Sequence, residues 1–315
     1  MSEQVADGSS ASGFLARVRE IAGFVAPTTV VTALLFYFGY VATRSRFEYF
    51  GVYLDLTDLS NQRMLLYGVE VVYVPAALAF LAVLVLLAVQ GIVRWTVGAA
   101  ERDAASLLVS LAAALGGLLL VARALLGMLV PRMEEVEPVP GTTALALAAG
   151  PTALAYAAWI AGTVARRRLD RGESPSAPVR LAAWSRSDQA GRVRRGCLAC
   201  IVGLAVAGLF WAANEFAWAY GAGRAYDDAR KLTERPSVIL ETRHALTDPP
   251  IGVHETALGS DGTAQDAFGY RYDGMRLLLA SGGRLFLVPE RWTKESRTMV
   301  VAYDGDVRVQ LVPAG

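Results

Sequence analysis

The sequence predicts an integral membrane α-helical bundle of five transmembrane helices, followed by a small C-terminal antiparallel β domain. Three observations predict this fold class. First, 54% of the 315 residues are hydrophobic and only 19% are charged, whereas about 25% are charged in a typical soluble protein. Second, five apolar stretches reach the length of about 20 residues that a helix needs to cross a bilayer core. Third, the chain beyond Pro236 consists of short β-like runs separated by turn residues.

The five apolar stretches lie at about residues 21–41, 67–93, 104–130, 143–164 and 197–220, and together they make residues 21–220 a transmembrane domain. The run from Ala76 to Val93 is apolar on every side of a helix, which argues against an amphipathic helix in a soluble core. The leader before the first span contains acids instead of a short basic region. We therefore expect that span to remain as a helix and not to be cleaved.

Arginine residues predict the orientation of the spans, because basic residues accumulate in the cytoplasmic loops of membrane proteins. Nine arginines lie in the loop of residues 165–196, which we therefore place in the cytoplasm. The N-terminal tail of residues 1–20 is then also cytoplasmic, and the C-terminus lies outside the cell membrane. The arginines that run against this rule are fewer: Arg44, Arg46, Arg63, Arg132 and Arg224.

The segment after the fifth span predicts a helical stalk over residues 221–235. Asp227 and Lys231 have the four-residue spacing of a stabilising helical pair, and Pro236 ends the helix. Beyond it we predict strands at 238–242, 270–280, 284–288, 299–303 and 307–312, with Gly-rich turns between them. Residues 236–315 are therefore expected to form an extracytoplasmic β domain.

Ionisable residues within the spans are the first candidates for a functional site, because a charge in a membrane is costly. We define an intramembrane polar cluster of Glu70, Arg123, Asn214 and Glu215. Its charged members lie toward the outer ends of their spans, so we expect a structural ion pair of Arg123 with Glu70 or Glu215. The alternatives are a polar cavity for a solute or proton, and recognition of a partner.

The loop between the first and second spans is more apolar than a loop that only connects two helices in solvent. It reads RSRFEYFGVYLDLTDLSNQRMLLYG, and its candidate surface residues are Phe50, Asp55 and Asp58. We expect this loop to fold back on the outer membrane face and to touch the β domain.

Several stretches resemble one group of known proteins. The loop, read as YFGVxLxLxxLSxxxxLL from Tyr49 to Leu66, is similar to a segment of uncharacterised multi-pass membrane proteins of Streptomyces and related actinobacteria. The tail resembles the same group through GAGRA at 221–225, RPSVIL at 235–240, GVHET at 252–256 and YRYDGMRLLLASGGRLFLVPERW at 270–292. The resemblance implies an actinobacterial protein with membrane helices and an exposed C-terminal module. It implies no activity, cofactor or catalytic residue.

Sequence motifs for catalysis or cofactor binding are missing: there is no GxSxG, no P-loop, no GxGxxG after a strand and no HExxH. Cys197 and Cys200 form a CxxC without a second ligand pair, and His244 and His254 match no metal-ligand spacing. We therefore expect no cofactor, no metal and no catalytic residue. A net charge of +1 also argues against nucleic acid as a partner.

The leading functional hypothesis is a non-enzymatic membrane anchor or scaffold that presents the β domain to a protein or envelope partner. The alternatives are a transporter or channel component, and a membrane enzyme that acts on lipid or cell-wall precursors. The lipid bilayer is the expected environment. Small residues four apart permit close helix packing, within the chain or in a homo-oligomer: Ala149, Ala153, Ala157 and Ala161, with Ala112 and Gly116, and Gly203 and Ala207.

Overall fold

The structure of the chain, a computed structural model, describes residues 28–98, 103–130, 139–172, 188–258, 268–293, 295–303 and 306–313. The chain divides into two compact units. The first, here the sheet unit, comprises Met1–Val72 and Ala217–Gly315, and the second, the helical unit, comprises Tyr73–Phe216. Each unit is described by itself.

Five helices occupy most of the described chain. Helix α1 covers residues 28–48 within that part. It is followed by α2 (Asn61–Gly98), α3 (Asp103–Leu129), α4 (Thr142–Asp170) and α5 (Asp188–Arg230). Short 3-10 turns lie at Leu54–Leu56 and Leu232–Glu234.

Among the described residues, four helices are long and apolar enough to cross a membrane. They are Asn61–Trp95, Asp103–Leu129, Thr142–Arg168 and Gly191–Arg230, within α2 to α5. The predicted spans at 67–93, 104–130, 143–164 and 197–220 are thereby confirmed in length and composition. The predicted count of five is not confirmed, because part of the first span lies outside the described residues.

In the helical unit, α3 and α4 pack through glycine and hydroxyl groups. A Cβ added to Gly117 would lie 3.0 Å from the carbonyl oxygen of Gly150, and Ser110 Oγ donates a hydrogen bond of 2.9 Å to the carbonyl oxygen of Ala157. Among the described atoms, a Cβ added to Gly116 or Gly203 would meet nothing within 4 Å. The close contact of α3 with α4 is therefore at Gly117, next to Gly116, which the sequence had suggested for close helix packing.

In the sheet unit, α1 packs against the beginning of α2 and the end of α5 at three glycines. A Cβ at Gly68 of α2 would overlap the carbonyl oxygen of Leu35, and one at Gly221 of α5 would overlap that of Ala42. Gly39 of α1 likewise approaches the backbone of α2. Small residues allow this backbone contact between helices.

The C-terminal sheet is antiparallel and has six strands among the residues that the structure describes. They are β1 (Ser237–Thr242), β2 (His254–Ala257), β3 (Tyr270–Ser281), β4 (Arg284–Pro289), β5 (Met299–Ala302) and β6 (Val307–Val312). The order is β5-β4-β3-β1-β6, and β2 also pairs with β3. The predicted C-terminal β fold is therefore confirmed, with β2 as a strand that the sequence did not indicate.

The long strand β3 holds the sheet together, because β1 pairs along one side of it and both β2 and β4 pair along the other. Strand β2 pairs with residues 270–273 and β4 with residues 275–281. Between the two registers lies Gly274, with φ +93° and with no room for a Cβ beside the carbonyl oxygen of Gly252. Glycine is required there because L side chains rarely adopt this backbone conformation.

Each face of the sheet contributes to a core. One face carries the buried side chains Val238, Leu240, Tyr272, Met275 and Leu287, which Leu246 and Val253 help to cover. From the other face Phe286, Val288 and Leu278 project into a second core, which the sheet shares with the helices of its own unit.

Candidate functional site

The second core joins the sheet to the helix ends, and we call it the loop–sheet core. Its members come from the last turn of α1 and the segment after it, from the beginning of α2, from the end of α5 and the 3-10 turn after it, and from the sheet. They are Phe47, Phe50, Val52, Leu54, Met64, Ala225, Leu232, Leu278, Phe286 and Val288. Burial of apolar surface is the main favourable term in folding. The sheet is therefore held by packing onto the helices of its unit and not only by the covalent connection through the chain.

Phe50 is one of the most deeply buried members of this core. Its side chain is only 1% exposed, and its ring lies 5.0 Å from that of Trp292 in an edge-to-face contact. Thr298 Oγ1 donates a hydrogen bond to the carbonyl oxygen of Phe50. The prediction of Phe50 as an outer-loop surface residue is corrected here, because the apolar pattern of the loop encodes a core contact.

The two candidate aspartates of the loop, Asp55 and Asp58, have different surroundings. Asp55 is exposed in the 3-10 turn that follows Tyr53. Asp58 has φ +43° and lies against the β3–β4 turn, where its carbonyl oxygen is 3.4 Å from Ser281 Oγ. The predicted contact of this loop with the β domain is therefore present at Asp58 as well as at Phe50.

Ion pairs extend the same junction from α1 to the sheet. Arg46 Nε donates to Asp228 Oδ2 at 2.6 Å, and Arg235 Nη2 lies 3.0 Å from Asp228 Oδ1. Arg235 also donates to the carbonyl oxygen of Leu278 in β3 at 2.9 Å. These charged side chains are mostly shielded from solvent, so the pairs are screened less than exposed ones.

Glu70 has partners on α5. Its Oε1 atom accepts a hydrogen bond of 2.8 Å from the hydroxyl of Tyr220 and lies 2.8 Å from Arg224 Nη2. Neither contact uses Oε2. The sequence missed Tyr220 and Arg224 as partners of Glu70, because their pairing depends on how the helices pack.

These groups line a small recess between α1, α2 and α5, which we call the interfacial recess. Its lining residues are Ala42, Thr43, Arg46, Tyr67, Glu70, Val71, Tyr220, Gly221 and Arg224. Two guanidinium groups, one carboxylate and two phenols therefore converge at one place in the sheet unit.

The other members of the predicted polar cluster belong to the helical unit. Arg123 Nη1 donates to Thr143 Oγ1 at 3.1 Å. Glu215 Oε1 accepts from Trp211 Nε1 at 3.2 Å, and the adjacent Asn214 is half-buried. The ion pair of Arg123 with Glu70 or Glu215 stays a prediction.

The sheet holds two polar groups that the sequence did not single out. Glu241 is buried on β1 and accepts from Arg271 Nη2 at 2.8 Å, a hydrogen bond that raises the pKa of Arg271. The buried Tyr272 donates its hydroxyl proton to Glu255 Oε2 at 3.0 Å and accepts from the backbone N–H of Leu246 at 2.7 Å. Burial, followed by the hydrogen bond and charge of Glu255, raises the pKa of Tyr272.

The described histidine, cysteine and acidic side chains do not form a metal-binding cluster. Within the described ranges, no three His, Cys, Asp or Glu side chains come together in a way that could hold a metal ion. His244 and His254 are exposed, and Cys197 and Cys200 are exposed free thiols on α5.

Comparison with known proteins gives no relative: no family model, no curated protein and no solved structure matches the chain.

Proposed function

We propose that this protein is an integral membrane anchor that holds its C-terminal sheet rigidly at the outer face of the cell membrane, where the sheet binds a protein or envelope component. The N-terminus is cytoplasmic in this proposal, and the chemistry is recognition and not catalysis. The positive-inside argument from loop 165–196 supports the orientation.

The observation that carries the proposal is the loop–sheet core. A sheet that only had to be attached to the membrane could follow the last helix on a flexible linker. Here Phe286 and Val288 are buried against Phe47 and Phe50, and Arg235 connects Asp228 to the backbone of β3. Such packing fixes the sheet relative to the helix ends of its unit, and preorganisation of this kind lowers the entropic cost of binding a partner.

The shared core also determines which experiment is informative. Removal of the sheet would expose Phe47 and Phe50 and would disturb the membrane helices, so a truncated chain would not separate anchoring from binding. Single exposed positions in the full chain are better probes.

The orientation is tested by thiol labelling of intact cells in a Cys197→Ala, Cys200→Ala background. Thr247 lies exposed between β1 and β2, and Arg192 lies exposed near the beginning of α5. An impermeant maleimide should label Thr247→Cys but not Arg192→Cys, and both should react after permeabilisation. The reverse pattern would place the sheet in the cytosol and contradict the proposal.

Binding is tested with a photo-crosslinking amino acid placed singly at Val300, Tyr303 or Leu311, which are exposed apolar side chains of the sheet region. The matched control is Leu84, an exposed side chain of α2, which should crosslink to lipid alone. We expect one discrete protein or glycan adduct from Tyr303 that the control position does not give.

A second variant makes the result specific. Val300→Asp should reduce the adduct formed from Tyr303, since a charge on β5 would disturb an apolar contact there. Lipid adducts alone, or no adduct, from every sheet position would contradict the proposed function.

A further inference from the structure

We propose that a groove in the sheet unit binds neutral pyranose sugars of an envelope glycan. The inference rests on the proposed function, because it names the chemistry of the envelope component that this unit binds. The groove has a volume of about 430 Å³, within the range of about 300–1,000 Å³ that is usual for ligand sites. We call it the aromatic groove. The end of α1 and the residues after it contribute Glu48, Tyr49 and Phe50, and the connection between β4 and β5 contributes Trp292, Ser296 and Arg297.

Two aromatic side chains supply the surface on which a sugar ring can lie. The ring centroids of Tyr49 and Trp292 are 6.5 Å apart, and their planes are inclined by 37°. Tyr49 is 41% exposed and Trp292 is half-buried. The face of an aromatic ring is electron-rich and attracts the C–H hydrogens on the flat face of a pyranose. Inclined rings do not form the parallel slot that would enclose a flat nucleobase, so the pair fits a sugar better.

The walls of the groove are fixed before any ligand arrives. The buried ring of Phe50 contacts both aromatic rings edge to face, at 5.3 Å from Tyr49 and 5.0 Å from Trp292. Thr298 Oγ1 donates a hydrogen bond to the carbonyl oxygen of Phe50 and so joins the two walls. Ser296 Oγ accepts from the backbone N–H of Thr293 at 2.9 Å, which closes the turn before Arg297. A preformed groove lowers the entropic cost of binding.

The polar side chains of the groove offer an acceptor and a donor to sugar hydroxyls. Glu48 Oε2 lies 3.7 Å from Arg44 Nε, which is too far for a hydrogen bond, so the carboxylate can accept one from a ligand. Arg297 Nη1 donates to Asp248 Oδ2 at 2.8 Å, and a guanidinium has five N–H donors. Its other N–H groups can therefore donate to a sugar oxygen. A hydroxyl both donates and accepts, so vicinal sugar hydroxyls can satisfy both side chains.

The charges at the groove select a neutral ligand. Glu48 and Arg297 have opposite charges, and each also has a counterion outside the groove, Arg44 and Asp248 respectively. A charged ligand of either sign would be attracted by one of the two groove side chains and repelled by the other. A neutral sugar has no such conflict and still forms charge-assisted hydrogen bonds to both. This favours a neutral glycan over a nucleotide or a uronic acid polymer.

The test is saturation-transfer NMR of the full chain in a zwitterionic detergent, because sugar-headed detergents would compete for the groove. The ligands are four β-1,4-linked tetrasaccharides that differ in charge: those of glucose and N-acetylglucosamine are neutral, that of glucosamine is cationic and that of glucuronate is anionic. We expect the neutral pair to bind with a Kd below about 1 mM, and both charged forms to bind about fivefold more weakly. Saturation should be strongest at the ring C–H protons of one sugar face. Equal or tighter binding of a charged form, or no transfer to any of the four, would overturn the proposal.

Variants assign the binding to the groove. Tyr49→Ala removes one ring and should weaken binding about fivefold, which is the value of one aromatic contact. Glu48→Gln keeps the shape of the side chain and should also weaken binding about fivefold, so the test does not depend on the fold of Tyr49→Ala. The matched controls are Tyr53→Ala and Glu234→Gln, which change exposed residues outside the groove and should leave the Kd unchanged. Equal losses in the controls and the groove variants would contradict the assignment.

The failure of this inference is distinguishable from the failure of the proposed function. If no tetrasaccharide binds while Tyr303 still gives a discrete adduct in cells, the groove proposal is wrong and the anchor proposal stands. If sugars bind but thiol labelling places Thr247 in the cytosol, the groove proposal stands for the purified protein and the anchor proposal is wrong.

Discussion

The loop–sheet core gives the sharpest stability prediction, through two aromatic residues of the same loop. Phe50 is 1% exposed and Tyr53 is 71% exposed. We expect Phe50→Ala to destabilise the sheet unit by about 3–5 kcal/mol, the cost of removing a buried aromatic ring and leaving a cavity. Tyr53→Ala should change the free energy of unfolding by less than about 0.5 kcal/mol.

Two features of the structure set this magnitude. The ring of Phe50 makes the edge-to-face contact with Trp292 at 5.0 Å, which is lost in the variant. The hydrogen bond from Thr298 is kept, because it ends on the backbone oxygen of Phe50. Phe50→Leu refills most of the volume and should cost less than about 1.5 kcal/mol.

The assay is pulse proteolysis of the detergent-solubilised full chain in increasing urea, with intact protein detected through a C-terminal tag. When opening is fast relative to cleavage, the cleaved fraction reports the population of the open form. A loss of about 3–5 kcal/mol raises that population by about two to four orders of magnitude. Equal midpoints for Phe50→Ala and Tyr53→Ala would refute the inference that the loop is part of the core.

Two further predictions concern a helix contact and a buried phenol. Gly68→Ala should destabilise the protein by about 1–3 kcal/mol, because the added Cβ would overlap the carbonyl oxygen of Leu35. Gly91→Ala on the same helix has open space among the described atoms and should stabilise the protein by up to about 1 kcal/mol. Thermal unfolding in detergent measures both effects, and an equal loss of stability in the two variants would contradict the packing of α1 against α2. Burial raises the pKa of Tyr272 above its ordinary value of 10.0. The contribution of the neutral phenol to stability is therefore complete below pH 10.0 and is lost as the pH rises through the folded-state pKa. Tyr272→Phe should make the free energy of unfolding of the sheet unit fall less steeply at alkaline pH, and an unchanged pH dependence would contradict this.

The sequence predicted the four long apolar helices α2 to α5 well because hydropathy records which residues can lie in lipid. It underestimated their length for the same reason. Helix α4 continues through Arg166–Asp170, and α5 begins at Asp188, before the predicted start of the span at residue 197, since backbone hydrogen bonding does not end where the apolar side chains end. The predicted helical stalk agrees with α5 as far as Arg230.

The sheet shows both the strength and the limit of strand patterns. Five strands were predicted from β-branched and aromatic runs between turn residues. Strand β2 was missed because its residues, HETA, are all exposed and carry no alternating pattern. Its pairing with β3 defines it as a strand, and that information is not local in sequence.

Side-chain partners were the least predictable part. The partners of Glu70 lie about 150 residues away on α5, and helix packing brings them together. The apolar pattern around Phe50 correctly predicted that the loop contacts something, but a binding surface and a core produce the same pattern.

The division of the sheet unit between the two ends of the chain has a consequence for biogenesis. The hydrogen bond between Phe50 and Thr298 joins residues 248 positions apart. At about 5–20 residues per second, the ribosome needs about 12–50 s to make the intervening chain. During that interval the apolar side chains of the first loop have not met the sheet residues that bury them. Assembly of this unit therefore ends with the last strands, so a premature stop anywhere in the sheet leaves the earliest loop unfinished as well.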